Sequence, residues 1–392
     1  MAPTLVSIPP ELLEKVAKSL NPEDDASYAL LALRSVCHDT RSAVEKLFVR
    51  TYFTKRCIFF MRSKLRELED IASAKLASSV TELDIIYAPS TTKTPDWGAT
   101  VEDTARQPDF TALVSPLSAL LTKFPRLSTI NFRVEYPTKP NNDQCQTYEW
   151  DLDATFQATM AALKMAGIQP PTIKTDMWWS SISKDQSWLC LRPHLGLLHK
   201  LDFSLFLNTE HGVKFGPPRE TLCVEKVGID FLLALQHCIV LEELSLKLGH
   251  SFEVGDAFEC LASTVLLPQL RRFSFNLTAC DTPSMMRFLD NHAATLKRCD
   301  FAYVDFLRRD AVEFTDLLNM MRENMRLEQL ALYECSEGES PMRFPYMIKV
   351  SFDSEPNDDG YIVVELDETI SLEGYDEVQS GLACMLKCVE VL

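Results

Sequence analysis

The chain has 392 residues, of which 46% are apolar and 24% are charged, a composition typical of a globular protein rather than a disordered one. Its formal net charge of −17 argues against nucleic acid or an anionic membrane as a general partner, because both require a field of Lys and Arg. No secretory leader pattern is present, and no apolar run approaches the roughly 18 residues of a membrane span. We therefore expect a cytoplasmic or nuclear protein of two or three domains.

Three short helices are predicted at the N-terminus. The first begins near Pro9 and Pro10, where a missing N–H costs nothing, and ends at Asn21, before Pro22. The second and third are predicted over "ASYALLALRSVC" and "TRSAVEKLFVRTYF" from their apolar spacing. Units of about 40 residues bury too little area to be stable alone, so either the rest of the chain or another protein must cover their apolar surface.

The stretch "IPPELLEKVAKSLNPEDDASYALLALRSVCHDTR", Ile8 to Arg41, resembles an F-box. It shares the Pro-x-Glu-Leu opening, an acidic turn at Asp24 and Asp25, and the "LR-x-VC" helix, although Ile8 replaces the usual Leu and no Trp closes the motif. The resemblance implies docking on a Skp-type adaptor and, through it, on a cullin. The residues that it implies at the adaptor interface are Ile8, Pro9, Leu12, Leu13, Val16, Leu20, Leu33, Val36 and Cys37.

Beyond a predicted helical connector, a phrase of the form apolar-x-x-apolar-x-apolar recurs. The copies are Val80–Ile85, Leu127–Phe132, Leu198–Phe203, Leu241–Leu246, Leu270–Phe275, Leu296–Phe301 and Leu327–Leu332. The phrase alone is weak evidence, but the middle residues of the last four copies are 29, 26 and 31 residues apart, close to a leucine-rich-repeat period. Helical patterns precede several copies, as in "LSALLTKFP", "VGIDFLLALQHC", "TPSMMRFLDNHA" and "AVEFTDLLNMMRENM".

Alternating helix and strand predicts a stacked α/β solenoid. The pattern resembles the irregular leucine-rich-repeat regions that follow F-boxes in fungal proteins, although the closing Asn or Cys of each repeat is missing. The long intervals before Leu241 indicate degenerate repeats or inserted loops. An unrelated α/β domain is the competing fold.

Residues that alternate with the inward leucines are predicted to line a concave face that binds a protein substrate. They are Lys200, Asp202, Ser204, Glu243, Ser245, Lys247, Arg272, Ser274, Asn276, Arg298, Asp300, Gln329 and Tyr333. Mixed charge with few aromatic side chains suits a protein rather than a nucleic acid. The competing interpretation of each position is an ordinary solvated strand face.

The segment 334–392 carries 14 Asp and Glu against 3 Lys and Arg, yet it contains the strand-like patterns "YMIKVSF" and "YIVVEL". We therefore expect a folded acidic cap, not a disordered tail. The predicted organisation is an F-box-like module over 1–50, a helical connector over 51–79, a repeat domain over 80–333 and the cap over 334–392.

No chemistry-bearing motif stands out. The 12 cysteines include no CxxC pair, and Cys384 and Cys388 have the spacing of one face of a terminal helix, which favours core packing over metal binding. GxGxxG, GxxxxGK[ST], GxSxG and HExxH are absent from the sequence, so we expect no catalytic residue, metal or cofactor. An enzyme with a dispersed site is one alternative.

The resemblance to an F-box therefore implies a non-catalytic, substrate-recognition subunit of a Skp-cullin-F-box ubiquitin ligase that recruits a protein for degradation. The second alternative is a leucine-rich-repeat scaffold outside any ligase, whose N-terminal helices cap its own solenoid.

Overall fold

A computed structural model gives the fold. The residues it describes are 12, 15, 26–59, 62–74, 76–87, 111–134, 145–176, 190–204, 232–247, 254–307, 312–337, 340–341, 349–352, 364–367 and 369–389. Their contacts divide the chain into two compact units. The first comprises Met1–Pro140 and Ala158–Pro170, and the second comprises Asn141–Gln157 and Pro171–Leu392.

The first unit begins with a helical pair, α1 (Ala26–Val36) and α2 (His38–Phe53). Leu30, Val44 and Phe48 form its buried core, which Leu33 packs against. Cys37 separates the helices and caps α2. Its thiol sulfur accepts a hydrogen bond from the backbone N–H of Thr40, and the Thr40 hydroxyl accepts one from the backbone N–H of Cys37. The second and third predicted helices are therefore confirmed, while most of the first lies outside the described residues.

Three parallel strands follow, β1 (Lys55–Phe59), β2 (Glu82–Tyr87) and β3 (Thr129–Val134), in that order across the sheet. Helices α3 (Arg62–Ser73) and α4 (Thr111–Leu121) pack against each other, and α3 also contacts β1. Strands β2 and β3 and helix α4 were predicted. Strand β1 was not, because its polar start runs into a charged helical pattern and the whole stretch resembles one helical connector.

Helix α5 (Cys145–Ala166) contributes residues to both units. The second unit continues with β4 (Thr172–Asp176), α6 (Arg192–Leu195), β5 (Lys200–Ser204), β6 (Glu243–Lys247), α7 (Val254–Thr264), β7 (Arg272–Asp281), α8 (Thr282–Asn291), β8 (Arg298–Leu307), α9 (Phe314–Asn324) and β9 (Gln329–Tyr333). Strands β4 to β9 are parallel and paired in chain order. Repeated strand and helix with a parallel sheet confirms the mixed α/β class.

Two rows of apolar side chains point from β5 to β9 toward the helices. The rows are Leu201, Leu244, Phe273, Cys299 and Leu330, and Phe203, Leu246, Phe275, Phe301 and Leu332, each in direct register across the sheet. All ten side chains are buried. The sequence phrase therefore locates the core correctly. Of the predicted helix "VGIDFLLALQHC", the described residues begin at 232, where residues 232–234 are α-helical and lead into the 3₁₀ helix Leu235–His237.

The C-terminal segment adds β10 (Ser336–Glu337), β11 (Ser340–Pro341), β12 (Lys349–Phe352), β13 (Val364–Asp367), β14 (Thr369–Glu373) and α10 (Tyr375–Val389). Strand β14 pairs antiparallel with β9, and α10 packs on α9 and β14. Val378, Leu382 and Met385 form the buried stripe of α10. The two strand-like patterns of this segment are the paired strands β12 and β13, so part of the acidic region is folded as expected.

Candidate protein-binding face

The sheet of the second unit has a polar face opposite its helices. Of the thirteen predicted positions, all except Ser204 lie on it, in three rows that cross the strands in register. The rows are Lys200, Glu243, Arg272, Arg298 and Gln329; Asp202, Ser245, Ser274 and Asp300; and Lys247, Asn276 and Tyr333. We call these twelve residues and Lys174, the β4 neighbour of Asp202, the polar strand face.

Ser204 corrects the prediction. It lies beside Lys247 in the third row, but its side chain has no exposed surface and its backbone N–H donates to Thr175 Oγ1 at 3.3 Å. Alternation along β5 fails at this point, where Phe203 and Ser204 are both buried.

Ion pairs link neighbouring strands of the polar strand face. Lys200 pairs with Glu243, and Arg272 Nη2 and Nε lie 2.8 and 3.0 Å from Asp300 Oδ2. Asn276 Nδ2 donates to Ser274 Oγ at 3.0 Å. Such half-exposed pairs contribute little to stability, about 0 to 1 kcal/mol each, and mainly fix side-chain positions.

Other charges on this face have no ion-pair partner in the described part of the chain. They include the cations of Lys174, Lys247 and Arg298 and the carboxylate of Asp202, whose Oδ1 is covered and accepts no hydrogen bond from the described residues. The face can therefore form further hydrogen bonds and ion pairs with an outside molecule.

In the middle of β8 and at the end of β9, the alternation of inward and outward residues changes. Phe301 and Val304 of β8 are buried, so the two residues between them, Ala302 and Tyr303, both face outward. The same two-residue step separates buried Leu332 from buried Cys335. Tyr303 has a φ of 54° and Glu334 a φ of 45°, the left-handed region that glycine favours. Non-glycine residues held there cost about 1 to 3 kcal/mol and cluster at functional sites.

Tyr303, Tyr333 and Glu334 form one cluster at this step, which we call the tyrosine corner. The two rings meet edge to face, with centroids 4.9 Å apart and planes at 82°. Hydrogen bonding of the Tyr333 phenol to Tyr303, and then to the Glu334 carboxylate, raises the pKa of Tyr333 well above its usual value. Tyr303 is 37% exposed, so the corner remains open to solvent. Only Tyr333 of this cluster was predicted, and no sequence signal marks the other two.

The contacts within the tyrosine corner make a prediction about titration. Tyr303→Phe keeps the ring but removes its hydroxyl, so the pKa of Tyr333 should fall toward the value of an ordinary tyrosine. Glu334→Gln should also lower it, because the hydrogen bond to the carboxylate and its negative charge both raise the pKa of Tyr333. The pKa can be followed through the ring carbon bearing the hydroxyl in protein with ¹³C-labelled tyrosine. An unchanged Tyr333 pKa in Tyr303→Phe would show that the two phenols do not interact.

The first unit has a separate polar cluster around Asp84, which was not predicted. This carboxylate is fully buried on the outer side of β2, with Lys55 Nζ at 3.0 Å, Arg133 Nη1 at 3.4 Å and Asn131 Nδ2 at 3.3 Å. Cys57 also contacts it, and burial together with the negative charge raises the pKa of the Cys57 thiol. The thiol is therefore a poor nucleophile, and the cluster is a set of ionic cross-strand contacts.

Of the nine predicted adaptor-binding residues, the side chains of Ile8, Pro9, Leu13, Val16 and Leu20 lie outside the described residues. Leu12 and Val36 are exposed, at 49% and 50%. Leu33 packs on the core of the helical pair, and Cys37 is the N-cap of α2. A groove of about 370 Å³ beside them is lined by Leu31, Arg34, Ser35, Cys37, His38 and Arg41.

The described residues contain no group of three His, Cys, Asp or Glu side chains placed to hold a metal. Among the described helices, none combines the length and apolarity needed to cross a membrane.

No protein-family model matches the sequence, and a search of curated proteins found no match. Among solved structures, the chain is similar to a chain from the crystal structure of the yeast Rad7 and Elc1 complex. The sequence identity is 16% and the TM-score is 0.29, over 88% of this chain and 97% of that chain. A TM-score this low leaves fold and function to be argued from the chain's own residues.

Proposed function

We propose that this chain is a non-catalytic receptor subunit of a ubiquitin ligase. Its N-terminal helices dock on a Skp-type adaptor bound to a cullin, and its polar strand face holds a protein substrate. No residue of the chain then needs to perform chemistry.

The observation that supports adaptor docking most directly is the exposure of apolar side chains on the N-terminal helices. Leu12, Leu31 and Val36 are 49%, 41% and 50% exposed, while the core of the helical pair contains three buried apolar side chains among the residues whose burial is described. Scattered exposed apolar residues are ordinary, but these lie within the segment that resembles an F-box, two of them at positions for which the resemblance implies adaptor contact. An adaptor surface would cover them and complete a core that is otherwise small.

The test is co-purification of the full chain with a Skp-type adaptor. Leu12→Asp with Val36→Asp places two charges in the proposed interface, and we expect binding to weaken about 100-fold or more because each buried anchor is worth about 2 kcal/mol or more. Both side chains are exposed in the free chain, so circular dichroism should show an unchanged fold.

The matched control is Ile239→Asp with Leu266→Asp, since these residues are equally exposed apolar side chains of the second unit. We expect the control to bind the adaptor normally. Equal binding by the folded Leu12 and Val36 variant would contradict adaptor docking.

The alternative function, a scaffold outside any ligase, is supported by the contacts of α2 with β1 and with the 3₁₀ turn Ala77–Ser79. These contacts mean that the helices also cover part of their own unit. Removal of residues 1–50 separates the two functions. If these helices are a scaffold cap, the protein that remains should aggregate. If they are a docking module, the remaining protein should stay soluble but no longer bind the adaptor.

A further inference from the structure

We propose that the tyrosine corner is a binding site for one positively charged side chain, arginine or lysine, of the protein held on the polar strand face. The inference rests on the proposed role of that face in protein binding. It adds the charge and position of one contact, which the sequence did not indicate.

The first reason is the chemistry of the corner. Two tyrosine rings in edge-to-face contact present the negative face of at least one ring, and a cation over such a face gains about 0.5 to 2 kcal/mol. The carboxylate of Glu334 supplies a full negative charge beside the rings. Rings and carboxylate together match a guanidinium or an ammonium group, which has an apolar stem and a charged end.

The second reason is that no cation of the described residues neutralises the negative charge of Glu334. Its described contact is with the phenol of Tyr333, a neutral donor, and no Lys or Arg in the described part of the chain forms an ion pair with it. Elsewhere on this sheet, Glu243, Asp300 and Glu328 each pair with a cation of a neighbouring strand or turn. The corner is therefore an acidic site that the described chain leaves without a cation.

The third reason is that the backbone holds these side chains at a cost. Tyr303, within β8, and Glu334, directly after the neighbouring β9, both occupy the left-handed region, although neither is glycine or asparagine. The resulting two-residue step turns an exposed ring and a carboxylate outward beside Tyr333 of the polar strand face. Packing does not require this arrangement of Tyr303, since its side chain is 37% exposed.

The experiment is a titration of the full chain, with ¹³C-labelled tyrosine, by three short peptides. Their sequences are acetyl-Ser-Gly-X-Gly-Ser-amide, with X as arginine, lysine or citrulline, the neutral analogue of arginine. Tyr303→Phe and Tyr333→Phe assign the two signals among the 10 tyrosines. The peptides are taken to about 10 mM, because one side-chain contact gives a dissociation constant in the millimolar range.

We expect the arginine peptide, the lysine peptide or both to shift the Tyr303 and Tyr333 signals in a saturable way, and citrulline to leave them unchanged. The tighter of the two charged peptides identifies the preferred cation. Glu334→Gln should weaken binding about three- to fivefold and Tyr303→Ala by a similar factor, whereas removal of another exposed ring, Tyr375→Ala, should have no effect.

Equal shifts with the citrulline peptide, or no shift with any peptide at the highest concentration, would overturn the proposal. Failure of this cation site can be distinguished from failure of the proposed receptor function, because adaptor binding and peptide binding are measured independently. Adaptor binding without peptide binding would leave the receptor standing and remove only this contact, while peptide binding without adaptor binding would place the corner in a scaffold.

Discussion

Replacement of Phe288 by alanine is expected to lower the free energy of unfolding by about 3 to 5 kcal/mol, the largest effect of a single substitution that we predict. Phe288 lies on α8, has no exposed surface, and touches Phe258, Phe273 and His292 with ring centroids 5.7, 4.6 and 4.5 Å apart. Its removal would leave a cavity between the sheet and two helices, where Phe258 in turn packs on Phe275 of β7. The cavity cost adds to the lost transfer free energy because close-packed neighbours relax only in part.

Urea denaturation followed by circular dichroism measures this effect. Leu266→Ala is the control, because its side chain is 62% exposed and its loss should change stability by less than about 0.5 kcal/mol. A loss below 1 kcal/mol for Phe288→Ala would mean that α8 does not pack on β7 in the way described.

The second large effect concerns the contact of helix α10 with strand β14. A Cβ on Gly381 would lie 2.3 Å from Leu372 Cδ1 and 3.2 Å from its Cγ, so Gly381→Ala forces Leu372 or the helix to move. Overpacking of this kind costs about 1 to 3 kcal/mol. Leu372→Ala alone should cost about 2 to 5 kcal/mol by leaving a cavity, since Leu372 is buried.

The double variant distinguishes this clash from a general cost of alanine at position 381. With Leu372 shortened, the new methyl group has room, so the two losses together should be smaller than their sum. Gly196→Ala serves as the control, because its nearest contact is an ordinary 3.9 Å to the His237 carbonyl oxygen. Additive losses in the double variant would show that α10 and β14 do not touch at this point.

The sequence was a good guide to the strands that carry two large apolar residues toward the helices. Every copy of the repeated phrase overlaps a parallel strand, and the alternation in β5 to β9 correctly assigns twelve residues to one polar face. Period-two burial is a local property, so a single sequence is enough to reveal it.

Strand β4 escaped the prediction because Ile173 is its only large apolar residue. The rest of "TIKTD" is threonine, lysine and aspartate, so the repeated phrase does not occur there. Its omission left the interval between Leu127 and Leu198 to be explained by a degenerate repeat or an inserted loop. In fact β4 pairs with β5 and fills part of that interval.

The two polar clusters were unpredictable for a different reason. Asp84 lies at an outward-facing position of the repeated phrase in β2. It is buried because side chains of the neighbouring strands β1 and β3 cover it. The tyrosine corner depends on left-handed backbone at Tyr303 and Glu334, which residue type disfavours. Neither feature is encoded in local spacing.

The most direct test of the receptor is isothermal titration of the full chain with a purified Skp-type adaptor at several temperatures. We predict binding of one adaptor per chain, with a negative heat-capacity change that reports burial of apolar surface. No heat of binding from a folded chain, or binding without that heat-capacity change, would contradict docking through the N-terminal apolar surface.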